Sequence, residues 1–294
     1  MADIRTRQIA ANGLAFAVDE AGEGDDVALL LHGFPESRRS WRGQLPLLAE
    51  LGWRAVAPDL RGYGGTSRPK ARNAYALDHL VTDVGALFDA LGARRRLLIG
   101  HDWGGMIAWA AAGWRVRPLD GLVVMNAPHP AAYALHVAHS PAQLARSWYA
   151  LFFQLPWLPE ALLTAGKARA VGQAFSNRRT GRSVFSPEDI EQHRAQALLP
   201  GAMTAMLGYY RANAQTIARA PRTLANPIAT PTLLIWGEQD PYAGPELPEL
   251  CRSYAQDLTI RRLPEIGHWV QQEAPEAVDT ALREWLVTLA PSAK

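Results

Sequence analysis

The sequence predicts an α/β protein, a mostly parallel sheet covered by helices on both faces and interrupted by one helical insertion. Three observations predict it. Short apolar runs and longer helix-patterned stretches alternate four times over between Val27 and Met125. Between about Ala127 and Asn226 no apolar β-run occurs, and helix-like stretches follow one another. After Pro231 the strand pattern returns. A core domain is therefore expected at residues 1–128 and 227–294, with a helical cap at 129–226 inserted between two of its strands.

Two alternating stretches, Arg5–Ile9 and Leu14–Val18, open the chain, split by Asn12-Gly13, a pair suited to a tight hairpin because both residues tolerate positive φ. Val27–Leu31 is a fully apolar run, the signature of a strand buried on both faces. A helical pattern over Trp41–Leu51 stops at Gly52, and the strand Arg54–Ala57 precedes Pro58-Asp59. The next helix runs from about Leu77 to Leu91, before Gly92, and Arg96–Ile99 is the next buried strand. Gly104 and Gly105 open a helix that gives way to the strand Leu122–Met125. Inside the insertion, Ser140 is placed as an N-cap and Pro141 at the first helical position of a stretch reaching Leu155. The strands Thr232–Trp236 and Leu258–Leu263 follow, then an amphipathic helix from about Pro275 to Leu289.

Composition narrows the function classes. With 294 residues, 48% of them hydrophobic and 20% charged, the chain can bury the core of an ordinary globular protein. The net charge is only +2, and basic residues fall in short clusters such as Arg94-Arg95-Arg96, so nucleic acid is not an expected partner. Cys251 is the sole cysteine, which excludes an intrachain disulfide and any cysteine-based metal site. No apolar run reaches 18 residues and the N-terminus lacks a signal-like apolar segment, so a cytoplasmic protein without a membrane span is expected. No His/Asp/Glu cluster has metal-ligand spacing, and neither metal nor cofactor is expected.

In open α/β sheets, functional groups gather beyond the carboxyl ends of the strands. Here those ends carry His32-Gly33-Phe34-Pro35, then Asp102 in the frame Gly100-His101-Asp102-Trp103-Gly104, then Asp240, then His268. The frame matches the G-x-S-x-G elbow that presents a nucleophilic serine, with aspartate in the serine position. Asp102 alone could be an ordinary helix N-cap; Asp240 and His268 at matching strand ends favour a nucleophile, acid and histidine triad. A carboxylate is already anionic near neutral pH and can displace a leaving group at a saturated carbon. The product is an ester of the protein, which a histidine-activated water hydrolyses while the backbone N–H groups of Phe34 and Trp103 hold the oxyanion.

The substrate is then an alkylating agent, an epoxide or an alkyl halide, and the leaving group discriminates: an alkoxide needs a hydroxyl donor, a halide an indole or amide N–H. Met203, Met206, Leu207 and Tyr210 fall at i, i+3, i+4 and i+7, so Tyr210 is expected to face the core domain while Tyr209 points away. Tyr149 lies in another helical stretch of the cap. Taken singly, an aromatic on such a face reads more simply as core packing. Trp103, Phe34, Trp148, Phe152, Trp157 and Met206 are expected to line an apolar pocket.

The segments His32-Gly33-Phe34-Pro35-Glu36, Asp59-Leu60-Arg61-Gly62-Tyr63-Gly64, Gly100 to Gly105, Asn126-Ala127-Pro128-His129-Pro130, Phe153-Gln154, Tyr210-Arg211, Trp236 to Asp240 and Gly267-His268-Trp269 occur in this order. With them the chain resembles, over nearly its whole length, α/β-hydrolase-fold epoxide hydrolases of the soluble type. The resemblance implies Asp102 as nucleophile, His268 as base, Asp240 as its partner, and Tyr149 and Tyr210 as the tyrosines that activate the epoxide oxygen. It implies a cis Phe34–Pro35 peptide, no catalytic role for His101 or His129, and a small apolar epoxide and water as reactants. His32 reads as a hydrogen-bonded turn residue. Haloalkane dehalogenases look similar at the elbow, where Trp103 also stands, and a non-catalytic ligand-binding member of the fold is a third reading. Oligomeric state stays open between monomer and homodimer.

Overall fold

The computed structural model describes residues 2–175 and 185–289. Strands β1 (Arg5–Ala11) and β2 (Leu14–Ala21) pair antiparallel around Asn12 and Gly13, both at positive φ, as the hairpin signal implies. They join β3 (Asp26–Leu31), β4 (Arg54–Pro58), β5 (Arg95–His101), β6 (Gly121–Met125), β7 (Thr232–Gly237) and β8 (Leu258–Leu263) in one sheet. The strand order is β1-β2-β4-β3-β5-β6-β7-β8. The β2–β4 pair is antiparallel, and every pair from β4–β3 to β7–β8 is parallel.

Successive strand residues point to opposite faces, so each apolar run feeds two cores. Leu29, Leu31, Leu98, Val124 and Leu234 pack on one side with α2 (Leu77–Ala90) and α3 (Trp103–Gly113), the latter following α1 (Gln44–Glu50) and α2 in the chain. Leu30, Ile99, Val123, Leu233 and Ile235 pack on the other with Leu45 and Leu48 of α1. This two-sided burial is why β6 and β7 read as continuous apolar runs rather than alternating ones.

Between β6 and β7 the described residues form helices and no strand: α4 (Pro130–His139), α5 (Pro141–Arg146), α6 (Trp148–Phe152), α7 (Leu158–Ala174), α8 (Pro187–Ala197) and α9 (Ala202–Thr223). Residues 176–184 of the expected insertion lie outside the described residues. After β7 come the single turn α10 (Leu247–Leu250), then α11 (Val270–Glu273) and α12 (Pro275–Leu286), whose Val278, Leu282 and Trp285 complete the second core.

Two helices differ from the pattern reading. The one expected from Trp41 starts at Gln44, because Arg38–Trp41 winds into a separate tight turn. The stretch expected from Ser140 to Leu155 breaks at Ser147. Ser140 does cap α5, accepting from the Gln143 N–H at 3.2 Å. Ser147, however, donates its hydroxyl back to the Gln143 carbonyl at 2.9 Å, and its backbone leaves the helical region at φ −90°, ψ 7°. A short hydroxyl side chain that competes for the carbonyl four residues back is a local cause of such breaks.

Candidate active site

Asp102 sits between β5 and α3 at φ 49°, ψ −119°, a conformation that side chains rarely adopt. Its neighbours make that turn feasible: a Cβ on Gly100 would run into the Gly104 carbonyl, and one on Gly104 into the Leu31 carbonyl. The carboxylate oxygen Oδ1 accepts the Phe34 N–H at 2.7 Å, and the Phe34–Pro35 peptide is cis. Trp103 begins α3, so its N–H belongs to the first helical turn, where donors have no partner within the helix.

His268 Nδ1 lies 2.7 Å from Asp240 Oδ2, and its Nε2 lies 3.6 Å from Asp102 Oδ2. Asp240 Oδ1 accepts the N–H groups of Tyr242 at 2.7 Å and Ala243 at 3.1 Å. Its Oδ2 accepts a second bond, from the Asn126 amide at 2.7 Å. Burial disfavours charge on Asp240, but the His268 charge and these hydrogen bonds prevail and lower its pKa. For His268 burial likewise opposes charge, yet Asp240, then Asp102, raise its pKa well above 6.5.

The other histidines of the motifs are occupied elsewhere. His32 Nε2 accepts the Leu60 N–H at 3.0 Å, so its Nδ1 is the donor to the Gly33 carbonyl at 2.9 Å. His101 sits behind His268, with Nε2 2.9 Å from the His268 carbonyl and Nδ1 2.6 Å from Glu36 Oε2. That same Glu36 oxygen accepts the Gly33 N–H at 2.9 Å. Burial opposes charge on Glu36, and His101 nonetheless holds its pKa down to about 2. His129 stacks on Tyr254 with rings 4.4 Å apart, and burial lowers its pKa to about 3.

One cavity is lined by Asp102, Trp103, Tyr149, Tyr210 and His268, together with Met106, Asn126, Tyr133, Ala150, Ile217 and Tyr242. Burial, with the Asp102 charge adding to it, raises both the Tyr149 and the Tyr210 hydroxyl well above a pKa of 10. The Trp103 ring meets the Tyr210 ring edge-on at 5.1 Å. Both hydroxyls stay protonated at any ordinary pH, as hydrogen-bond donors must.

Of the residues expected to line the pocket, Trp103 does and Phe34 reaches it through its backbone N–H, its ring packing on Phe153 and Tyr210. Trp148, Trp157, Phe152 and Met206 are not among the lining residues. Trp148 is 61% and Trp157 72% exposed, while Met206 is fully buried in the core. Tyr209 does not point away: it is fully buried and donates its hydroxyl to the Arg61 carbonyl at 2.8 Å. The start of α9 is buried on almost every side, from Ala205 to Tyr210, so a one-face reading of its periodicity misplaces Tyr209. Asn126 directly follows β6, where strand-end logic would have found it; Tyr133 and Tyr242 carry no such signal.

The chain from residue 27 to 275 matches the family model described as alpha/beta hydrolase fold. It is 38% identical over 283 residues to the human (Homo sapiens) protein named Epoxide hydrolase 4, an alignment covering 94% of this chain and 76% of that protein. Among solved structures it resembles epoxide hydrolase A from Mycobacterium thermoresistibile, with a TM-score of 0.84 and 30% identity over 98% of this chain and 99% of that one. It also resembles a Bacillus megaterium epoxide hydrolase in complex with an inhibitor, with a TM-score of 0.88 and 26% identity over 96% and 100% of the two chains. An aspartate at a strained strand-to-helix elbow, a histidine and acid at later strand ends and this sheet order thus have one common explanation: the chain belongs to the α/β-hydrolase-fold family, alongside members named epoxide hydrolases.

Proposed function

We propose that the protein is an epoxide hydrolase, converting small apolar epoxides to vicinal diols through an ester on Asp102. The observation that carries this reading is the convergence of one carboxylate and two tyrosines on a single cavity, with the His268–Asp240 pair behind the carboxylate. Relatives named epoxide hydrolases support it. Residues 129–226 act as the cap that brings Tyr149 and Tyr210 over the core domain formed by 1–128 and 227–294. A cytoplasmic location is in keeping with the single, buried Cys251.

The geometry divides the work between the two oxygens of Asp102. Oδ1 is held by the Phe34 N–H, so Oδ2 attacks the epoxide carbon. The ring C–O bond breaks as Tyr149 and Tyr210 donate to the departing oxygen, one of them giving up its proton. In the resulting ester, Oδ1 is the carbonyl oxygen and already rests on an oxyanion-hole donor, with the Trp103 N–H as the second. His268, having passed its proton to the tyrosinate, then takes a proton from water, the hydroxide attacks the ester carbon, and collapse of the tetrahedral intermediate sends its hydroxyl proton to the leaving alkoxide, which releases the diol and restores the carboxylate.

The change of charge on Asp102 sets the order. In the free protein the imidazole faces two carboxylates, which favour its protonated form. Esterification removes one of them, an attraction on the order of 4 kcal/mol for unit charges about 4 Å apart at an effective dielectric of about 20. His268 therefore becomes a base only once there is an ester to hydrolyse.

Two tyrosine hydroxyls, donors suited to a departing alkoxide, line the cavity beside Asp102, which favours epoxide over alkyl halide. Incubation with styrene oxide and separately with 1-bromobutane tests the assignment. Diol is the expected product; bromide release without diol would sink it in favour of dehalogenation, and neither product across a varied panel would favour a ligand-binding role.

A further inference from the structure

The cap residue Gln143 lies on α5, is 1% exposed, and bonds to the core domain rather than to the cap alone. Its amide nitrogen donates to the Tyr242 carbonyl at 2.8 Å, and its amide oxygen accepts the Gly244 N–H at 2.9 Å. The carbonyl can only accept and the N–H can only donate, so a single orientation of the amide satisfies both. Those two backbone groups belong to the loop after β7 that shapes the acid: Tyr242 and Ala243 are the residues whose N–H groups hold Asp240 Oδ1. A second cap side chain, Arg146, donates to the Asp240 carbonyl at 2.7 Å. The acid loop is thus gripped from the cap at Asp240, Tyr242 and Gly244.

The other side of the grip leads to Tyr149. The Gln143 nitrogen also reaches Ser147 Oγ at 3.1 Å, and Ser147 is where α5 ends and α6 begins. Ser147 further accepts the Tyr133 hydroxyl at 2.8 Å and donates to the Gln143 carbonyl. Tyr149 stands two residues beyond it, in α6, and its ring meets the Tyr242 ring edge-on at 5.4 Å.

We infer that Gln143 is a positioning residue for both half-reactions, a clasp that sets the Tyr149 donor and the Asp240–His268 base in one register across the cap–core boundary. The inference rests on the epoxide hydrolase reading. It distinguishes Gln143 from its neighbours on either side: loss of Tyr149 should slow ring opening alone, and loss of Asp240 should slow ester hydrolysis alone. Gln143 touches neither substrate nor reacting atoms, and acts through where it holds those that do.

Single-turnover kinetics of Gln143→Leu with an aryl epoxide, following ester formation and ester decay separately, test it. Both rate constants should fall at least about tenfold, since displacement of a reacting group by about 1 Å can cost about a hundredfold. Gln143→Glu gives a second readout that does not depend on the first variant folding. Its carboxyl can donate to the Tyr242 carbonyl only when protonated, so its activity relative to wild type should climb as pH falls. A folded Gln143→Leu protein with both constants normal, or with one alone reduced, would overturn the coupling, as would a pH-independent ratio for Gln143→Glu. Wild-type protein that opens no epoxide would overturn the parent reading, and the coupling with it; active wild type with unaffected variants would overturn the coupling only.

Discussion

Replacing His268 by Gln separates the two chemical steps. A glutamine can keep a hydrogen bond to Asp240, where the imidazole sits at 2.7 Å, but it cannot accept a proton from water. Ring opening needs the Asp102 carboxylate and the tyrosine donors, none of which the substitution removes. Hydrolysis needs the base, and loss of a general base costs about 10²- to 10⁴-fold, or up to about 10⁶-fold where the members act as a unit. Ester formation should therefore outrun ester decay, and the protein should accumulate close to one adduct per chain. Intact-mass spectrometry after incubation with styrene oxide reads this directly, and peptide mapping places the adduct. An epoxide adds its entire mass because no atom leaves, whereas an alkyl halide would add its mass less that of the hydrogen halide. The expected result is a full-mass adduct on Asp102 with diol production nearly abolished. Diol formation at the wild-type rate without an adduct, or an adduct on another residue, would refute the two-step reasoning.

Four further outcomes follow from the same geometry. Tyr149→Phe with Tyr210→Phe should slow ring opening by about 10²- to 10⁴-fold while leaving the decay of preformed ester nearly unchanged; near-normal ring opening in stopped-flow fluorescence would remove the tyrosines from the mechanism. Ester decay should rise with pH through an apparent pKa lower than that of His268 in the free protein followed by NMR, because esterified Asp102 no longer favours the imidazolium; equal values would contradict the charge-switch argument. Burial lowers His129 to about 3 and His193 to about 4, so the unfolded chain binds more protons below about pH 6.5, the unperturbed value. Each should then cost about 1.4 kcal/mol of stability per pH unit below that point, until the folded group itself protonates; a urea midpoint that stays flat between pH 6.5 and 5 would count against it. Gly104→Ala places a methyl far inside contact with the Leu31 carbonyl, and should destabilise the fold by about 3 kcal/mol in urea titration while disabling the elbow; an unaltered midpoint would mean the turn relaxes easily.

How legible each feature was depended on the range of the interaction behind it. Hairpin, buried strands and most helices were readable because turn chemistry and apolar periodicity act over a few residues, and the register Leu29 and Leu31 against Leu30 follows from alternation alone. Where a side chain chose between local partners, as Ser147 did in bonding back to Gln143, periodicity overran the true boundary. The pocket lining was the least legible part. Met206 and Trp148 share the apolar character of the residues expected there, yet one is sealed in the core and the other faces solvent, since one sequence does not say which helix covers which face.

By itself the sequence determined that Asp102, Asp240 and His268 stand beyond the carboxyl ends of three sheet strands, β5, β7 and β8, because strand ends and the glycines of a sharp turn are local properties. Only the tertiary structure decided that Tyr149 and Tyr210 share one cavity with Asp102, that Tyr209 is spent on the Arg61 carbonyl, and that Asn126 and Gln143 hold the acid and its loop. Those pairings join residues up to 148 positions apart, and their partners are chosen by how the helices between β6 and β7 pack onto the sheet, a cooperative outcome that no window of sequence contains.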